Sequence, residues 1–473
     1  MGRTLFDKLW DIHRVAVDDD GAAYIAVDRV FLHERTGGVA LKSLLEAGRQ
    51  VKAPDRVFCV MDHIVSFAAG RGRNDARSPG GETFITQTRA MAEKTGIALI
   101  DTDDPRQGIV HVIAPELGVV APGVSIVCPD SHTCSLGAFG ALAMGIGSSE
   151  AEHIMATGVM RIHKPEQLRV RIDGVLPDGV SAKDLALHLI SAYGADGGKR
   201  RAIEFCGAAV SAMDPEARLT LCNLAVEFAA FTALIAPDEK IRNYLRGRPH
   251  APSGNLLAAA EEHWAELYTD RDAVFDEEIR INADHMAPFV SWGTSPDQCA
   301  PVTGGAPDLD ALGPGRVDRA RQAMAYMGFA PGTRFADLPI DGAFIGSCTN
   351  GRLSDLRAAG AVLKGRTVVD GVRAVCVPGS QRVRAEAEAE GLDEIFKTAG
   401  FEWGAPGCAM CFYAGGETFA PKARVVSSTN RNFEGRQGPG VRTHLASPAT
   451  VAASAVAGRI VGASSLGAAA GAA

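Results

Sequence analysis

Ala343-Phe344-Ile345-Gly346-Ser347-Cys348-Thr349-Asn350-Gly351-Arg352 passes from an apolar run into a glycine-flanked cysteine, and a helical stretch follows from Leu353 to Leu363. Strand, turn and helix in that order are the unit of an open α/β sheet, whose ligands bind at the carboxyl ends of its strands. Farther along, Pro406-Gly407-Cys408-Ala409-Met410-Cys411 adds a C-x-x-C loop. Cys348, Cys408 and Cys411 together offer three thiolates to one centre. Iron–sulfur clusters are usually held by four thiolates and structural zinc by four ligands, so a set of three leaves one position open. The count points to a [4Fe–4S] cluster with three cysteine ligands and one open iron used as a Lewis acid. Zinc, or plain buried thiols, is the competing reading of the C-x-x-C alone. The helix after Cys348 turns its positive end toward a thiolate-bound anionic centre, which favours the cluster.

The same pattern recurs on both sides of this stretch. Downstream, Arg373 to Val377 leads into Pro378-Gly379-Ser380-Gln381, and Arg424-Val425-Val426 leads into a turn that carries Asn430, Arg431 and Arg436. Two arginines at the functional edge of a sheet suit carboxylates, which a guanidinium binds bidentately. Upstream, three apolar β-branched runs read as strands that end in polar residues. Arg56 to Val60 leads to Asp62-His63, Gly108-Ile109-Val110 to His111, and Val124 to Cys128 to Asp130-Ser131-His132. A carboxylate beside an imidazole holds one tautomer and raises its basicity for proton transfer, so Asp62-His63 is the more specific acid–base signal.

Thr4 and Asp7 resemble a capping pair for a first helix that reaches about Arg14, and Gly80 to Lys94 reads as another helix. Gly145-x-Gly147 lacks a third spaced glycine and a preceding strand, so close helix packing is preferred to a phosphate loop. The texture changes near Leu168. An alternating strand follows at Val170 to Gly174, then a helix begun at Ser181-Ala182-Lys183-Asp184, and Leu219 to Ile235 reads as one apolar helix with Asn223 and Glu227 on a shared face. A carboxylate in such a helix is either paired in the core or aimed at a site. Pro288 to Pro314 is dense in Pro, Gly, Ser, Thr and Asp, which marks a loop or boundary. The expected division is an α/β domain over 1–166 with the Asp-His and Asp-Ser-His motifs, a second over 167–287, a third over 288–461 with the cysteines, and a flexible Gly/Ala/Ser tail over 462–473.

The 473 residues suffice for several domains, each with its own core. Net charge is −8 with no block of like charge, so neither nucleic acid nor an anionic membrane is the expected partner. There is no apolar leader and no run of 18 apolar residues, and the ten cysteines are scattered, which fits a cytoplasmic chain with reduced thiols.

Gly346 to Asn350, Pro406 to Cys411, Asp130-Ser131-His132-Thr133, Met61-Asp62-His63 and Asn430-Arg431-Asn432-Phe433-Glu434-Gly435-Arg436-Gln437-Gly438 together resemble the aconitase superfamily, and most specifically its isopropylmalate isomerase branch. The similarity runs from Thr4 to about Val456 and includes Leu221-Cys222-Asn223 and Thr443-His444-Leu445. The resemblance implies three α/β domains of aconitase type around a cleft, without the fourth, swivel domain. That domain would come from a separate small subunit, which supplies a serine base and another arginine. It also implies that Cys348, Cys408 and Cys411 ligate the cluster and that Asp62-His63 protonates the leaving hydroxyl. His111, Asp130, His132 and Glu227 would serve the iron-bound water, the hydroxyl and the substrate, while Ser131, Asn223, Asn430, Arg431 and Arg436 border the substrate.

The implied reaction is dehydration of a 2-substituted malate and rehydration at the neighbouring carbon, as from 2-isopropylmalate to 3-isopropylmalate in leucine biosynthesis. Leu136, Arg352 and Phe412 to Glu417 depart from the usual pattern beside the site motifs, so citraconate with 2-methylmalate, or homoaconitate, stands as the alternative substrate. An iron sensor that binds RNA is the reading from another class, and the acidic balance argues against it.

Overall fold

The computed structural model describes residues 2–313 and 315–467. The chain folds as two compact units. The first takes the residues up to Val65 together with Gly80–Val175 and Gly198–Asp284; the second takes Ser66–Pro79, Leu176–Gly197 and the chain from His285 onward.

The first unit holds a five-stranded, wholly parallel sheet in the order Ala98–Ile100, Val57–Val60, Arg29–His33, Ser125–Cys128, Leu142–Gly145. The strands at 57–60 and 125–128 are buried along their whole length. This explains why they read as unbroken apolar runs: a parallel sheet is covered on both faces. A four-stranded parallel sheet follows in the order Thr232–Leu234, Ala202–Cys206, Gln167–Asp173, Glu277–Asn282. A small antiparallel sheet of Arg14–Val17, Ala23–Ala26 and Val159–Ile162 completes the set.

The second unit is built on another five-stranded parallel sheet, ordered Phe401–Trp403, Arg373–Cys376, Gly342–Ile345, Arg424–Ser427, Arg442–Leu445. Its central strand is the one that ends in the cysteine motif. The stretch expected as a boundary loop also contains a hairpin, Phe289–Ser291 with Cys299–Pro301.

Helix ends follow the sequence signals. Thr4 caps Leu5–His13 in a capping box with Asp7, and Ser181 caps Ala182–Tyr193 in another with Asp184. Pro448 occupies the first turn of Pro448–Ala457, where its missing N–H costs nothing.

Three expectations are corrected. The run at 108–110 is no strand: Ile109 is extended, and a helix spans Val110–Glu116 with His111 as its second residue. Every residue of that helix is buried, so no polar alternation exposes its period. The stretch from Leu219 is not one helix either. Pro215–Leu224 is helical, one tight turn follows at Ala225–Phe228, Ala229 turns left-handed at φ 59°, and Thr232–Leu234 is a strand. Asn223 and Glu227 therefore do not share an α-helical face. Finally, a strand does precede Gly145, but the packing reading of that glycine holds, since a Cβ there would lie 2.7 Å from the Asp130 carbonyl oxygen.

Of the tail, Ala463–Ser465 forms one short helical turn, and 468–473 lie outside the described residues. Among the described residues no helix is long and apolar enough to cross a membrane.

Candidate active site

The residues singled out in the sequence fall into two groups, each internal to one compact unit. In the first unit the strand ends at 57–60 and 125–128 deliver a row in which carboxylates and imidazoles alternate. Asp62 Oδ1 lies 2.6 Å from His63 Nδ1, and His63 Nε2 lies 3.2 Å from Asp130 Oδ2. Asp130 Oδ1 accepts the His132 backbone N–H at 2.8 Å and stands 3.3 Å from His132 Nδ1; His132 Nε2 is 3.0 Å from Glu227 Oε1. The other oxygen of Asp62 accepts the Val110 N–H at 3.1 Å. Asp130 also caps the short helix Ser131–Phe139, which explains how it and His132, two residues apart, face the same group.

Both ring nitrogens of His63 face carboxylate oxygens, the donor pattern of an imidazolium. Burial works against the Asp130 carboxylate, but His111 nearby and the hydrogen bonds of His132 and His63 hold it well below the ordinary carboxylate range. His111 is fully buried with Nε2 at 3.4 Å from Thr133 Oγ1, and burial pushes its pKa down to about 4, against the pull of Asp130. It is a neutral imidazole at physiological pH. Asn223, also fully buried, donates to Ser135 Oγ at 2.8 Å and so braces the helix that carries His132. Ser131 is exposed, 3.4 Å from His132 Nδ1.

In the second unit Cys348, Cys408 and Cys411 are buried on two loops. Ser347, just before Cys348, has φ 81°, and Ala409, just after Cys408, has φ 47°. Left-handed backbone costs a non-glycine residue about 1–2 kcal/mol, and such strain concentrates at functional sites. Donors converge on the sulfurs. Ser347 Oγ lies 3.4 Å from Cys411 Sγ and 3.9 Å from Cys348 Sγ, Asn430 Nδ2 is 3.5 Å from Cys348 Sγ, and Arg436 Nη2 is 3.6 Å from Cys411 Sγ. The Cys411 thiol in turn lies 3.6 Å from Asn430 Oδ1, so one amide spans two of the three sulfurs.

The turn carrying Asn430 is pinned from both sides. Lys183 Nζ donates to the carbonyls of Ser428 and Thr429, and Asn432 Nδ2 donates to Ser291 Oγ at 3.0 Å and Gly293 O at 2.7 Å. Burial brings the Lys183 ammonium down to about 7. Arg77 and Arg436 both lie over the Phe412 ring, at 4.7 and 5.7 Å. Arg431 is half-buried beside Asn430.

Residues 7–458 match the Aconitase family (aconitate hydratase). The chain belongs to the aconitase family. It is 49% identical over 460 residues to 3-isopropylmalate dehydratase large subunit 1 of Bradyrhizobium diazoefficiens, covering 97% of this chain and 96% of that protein. Among solved structures, the holo-form of Thermococcus kodakaraensis aconitase X aligns with a TM-score of 0.43 at 14% identity, over 90% of this chain and 89% of that one.

Aconitase family proteins carry iron–sulfur clusters, and the second unit fits such a group by its donor set. Three buried thiols, a hydroxyl, an amide and a guanidinium aimed at sulfur are what thiolates held away from water require.

Lys183 escapes the sequence reading because it reads there only as part of a helix start. The signal is there: a lysine between Ala182 and the apolar Leu185, Ala186 and Leu187 must find a buried partner. His33 and Glu34 also escape it, although Val30-Phe31-Leu32 before them is the same apolar run that marks the other strand ends. The positions that depart from the family pattern differ in burial, with Tyr413 exposed and others packed inward. Leu136 is fully buried, Arg352 donates to Thr349 O at 3.0 Å, and Glu417 accepts from Ser66 Oγ and from the Phe67 N–H.

Proposed function

We propose that this chain is the large, cluster-bearing subunit of a hydro-lyase that converts 2-isopropylmalate to 3-isopropylmalate by dehydration and rehydration, as in leucine biosynthesis. The observation that carries the reading is the row Asp62–His63–Asp130–His132–Glu227 in a chain 49% identical to a dehydratase large subunit. Moving a hydroxyl between neighbouring carbons needs a positioned proton donor and groups that hold the departing oxygen, and a row of paired imidazoles offers both.

Cys348, Cys408 and Cys411 would hold a [4Fe–4S] cluster, which would supply Lewis-acid chemistry at an open iron without net redox change. The side chains do the rest. His63, held between Asp62 and Asp130, carries the proton for the leaving hydroxyl and takes one back on rehydration. Asp130 stays ionised and orients both His63 and His132, and Glu227 keeps the far nitrogen of His132 occupied. His111, kept neutral by burial, hydrogen-bonds the leaving or entering water without adding charge. Asn430, Arg431 and Arg436 bind carboxylate, Ser131 borders the substrate, and Asn223 keeps the His132 helix in register. The α-proton goes to a base on a small subunit that carries the swivel domain, which is the partner this reading requires. Three α/β domains with boundaries near residues 166 and 287 remain our assignment for the chain.

The test is anaerobic reconstitution with iron and sulfide, addition of the cognate small subunit, and a screen of malate homologues by absorbance of the unsaturated diacid. Turnover of 2-isopropylmalate above 2-methylmalate and homocitrate supports the assignment. Failure to convert any of them with a full cluster present removes it, and preference for 2-methylmalate moves the enzyme to the citraconate branch.

A further inference from the structure

The central strand of the first five-stranded sheet, Arg29–His33, lies between the two strands that end in Asp62-His63 and Asp130-His132. Its own carboxyl end carries His33 and Glu34, neither of which belongs to the alternating row. Glu34 is fully buried. Its Oε2 accepts the Asp62 N–H at 2.9 Å, and its Oε1 accepts the N–H groups of Ile64 and, at 3.2 Å, Val65. One side chain thus gathers three backbone donors of the loop that presents His63. Burial and the neighbouring Asp62 charge push the Glu34 carboxyl up from its ordinary value, against the hydrogen bonds from the Asp62 and Ile64 N–H groups, and its two oxygens have the acceptor capacity for all three donors in either protonation state.

His33 braces the same group from the other side. Its ring stacks on that of His63 with centroids 3.9 Å apart and planes 15° from parallel. Its Nε2 lies 3.1 Å from the carbonyl of Pro129, the residue before Asp130. A ring that donates from Nε2 and, among the described residues, has no hydrogen-bond partner at its buried Nδ1 is a neutral imidazole. Burial, which brings its pKa down to about 4, agrees. A neutral ring stacks on a protonated His63 without charge repulsion.

We infer that Glu34 is a positioning residue for the proton donor: by holding the backbone of residues 62–65 it sets the place of the His63 ring, while His33 fixes that ring's plane and ties it to the loop of Asp130. Glu34 reaches backbone groups of the loop, and through them it acts on His63. The inference rests on the role proposed for His63 in the dehydration.

Glu34→Leu keeps most of the volume and removes every acceptor; Glu34→Gln keeps the volume and one acceptor oxygen. A displacement of about 1 Å at a reacting group costs on the order of 100-fold in rate. The full chain, reconstituted with its cluster and paired with the small subunit, is measured for kcat and KM, and histidine-labelled chain is measured for the ring 15N shifts of His63. For Glu34→Leu the expected result is a kcat lower by about 100-fold with KM within about threefold, unchanged cluster absorbance and displaced His63 resonances. Glu34→Gln is expected to lose about tenfold, and it stands in if the leucine variant does not fold. His33→Phe, which preserves the stacked ring, is expected to keep more of kcat than His33→Ala.

A merely structural carboxylate would lower the melting temperature and leave both kcat and the His63 shifts of the folded enzyme as in the parent. That outcome overturns the inference. Should the parent enzyme turn over none of the malate homologues, the proposed function fails, while the His63 shifts still decide the role of Glu34.

Discussion

Gly137→Ala adds one methyl group at a place where the backbone leaves no room for it. Gly137 belongs to the short helix Ser131–Phe139, and a Cβ built there would lie 1.7 Å from the carbonyl oxygen of Ala233 and 2.9 Å from its carbon. Ordinary contact needs about 3.4 Å, so one backbone must retreat by well over an ångström. Neither can do so cheaply. Ala233 sits in a strand registered with Ile203, and the Gly137 carbonyl accepts the Ile235 N–H at 3.0 Å. Overpacking a rigid interior costs about 1–3 kcal/mol, and backbone on both sides puts this case at about 3 kcal/mol. Natural domains hold only about 5–15 kcal/mol in reserve, so the variant should fold and melt well below the parent. Its second effect is local. The helix carries His132, and a shift of about 1 Å there should lower kcat on the order of 100-fold. Thermal melts followed by circular dichroism, with hydration of the unsaturated diacid measured below both transitions, check the two effects. A melting temperature within 1 °C or so of the parent, or full activity in the folded variant, would refute the reasoning.

Glu204 is a second point of attack. Burial raises its pKa to about 7, against the hydrogen bond from Thr269, so its stabilising contribution is complete below the unfolded carboxyl value of 4.5 and is lost as pH rises through about 7. The shift corresponds to at most about 3 kcal/mol. His33 and His111, both lowered to about 4, carry the opposite sign, because the unfolded chain takes up their protons first as pH falls from 6.5. Glu204→Gln should therefore lose stability on acidification from pH 7 to 4.5 more steeply than the parent, and parallel melting profiles would contradict this. Lys183→Met leaves the buried carbonyls of Ser428 and Thr429 without their donor, at about 1–3 kcal/mol each before relief from burying a cation. It should melt lower and release iron to a chelator faster through the loosened Asn430 turn; unchanged iron loss would count against that link. Cys408→Ser should abolish the visible absorbance of the cluster and turnover together while the far-ultraviolet dichroism stays native. A retained chromophore would remove Cys408 from the ligand set.

Much of this was legible in local sequence, because the physics involved is local. Thr4 with Asp7 and Ser181 with Asp184 cap their helices within one turn, and the apolar runs at 57–60, 125–128, 342–345 and 424–427 are strands buried throughout. The misread stretches share a cause. Around His111 and from Leu219 to Ala225 every residue is buried, so hydrophobicity has no period to show, and where such a run bends is settled by what packs on it. The sequence by itself determined the chemical cast: three thiols on two glycine-bearing loops, Asp62 beside His63, Asp130 two residues from His132, and a turn rich in arginine. Only the tertiary structure decided how the acid–base members are ordered, with Asp130 shared by His63 and His132, Glu227 at the far end, and Glu34 beneath the loop. Those pairings join residues as far apart as 132 and 227. Periodicity can announce a strand, but the order of strands in a parallel sheet, and hence which ends become neighbours, is a property of the packed chain.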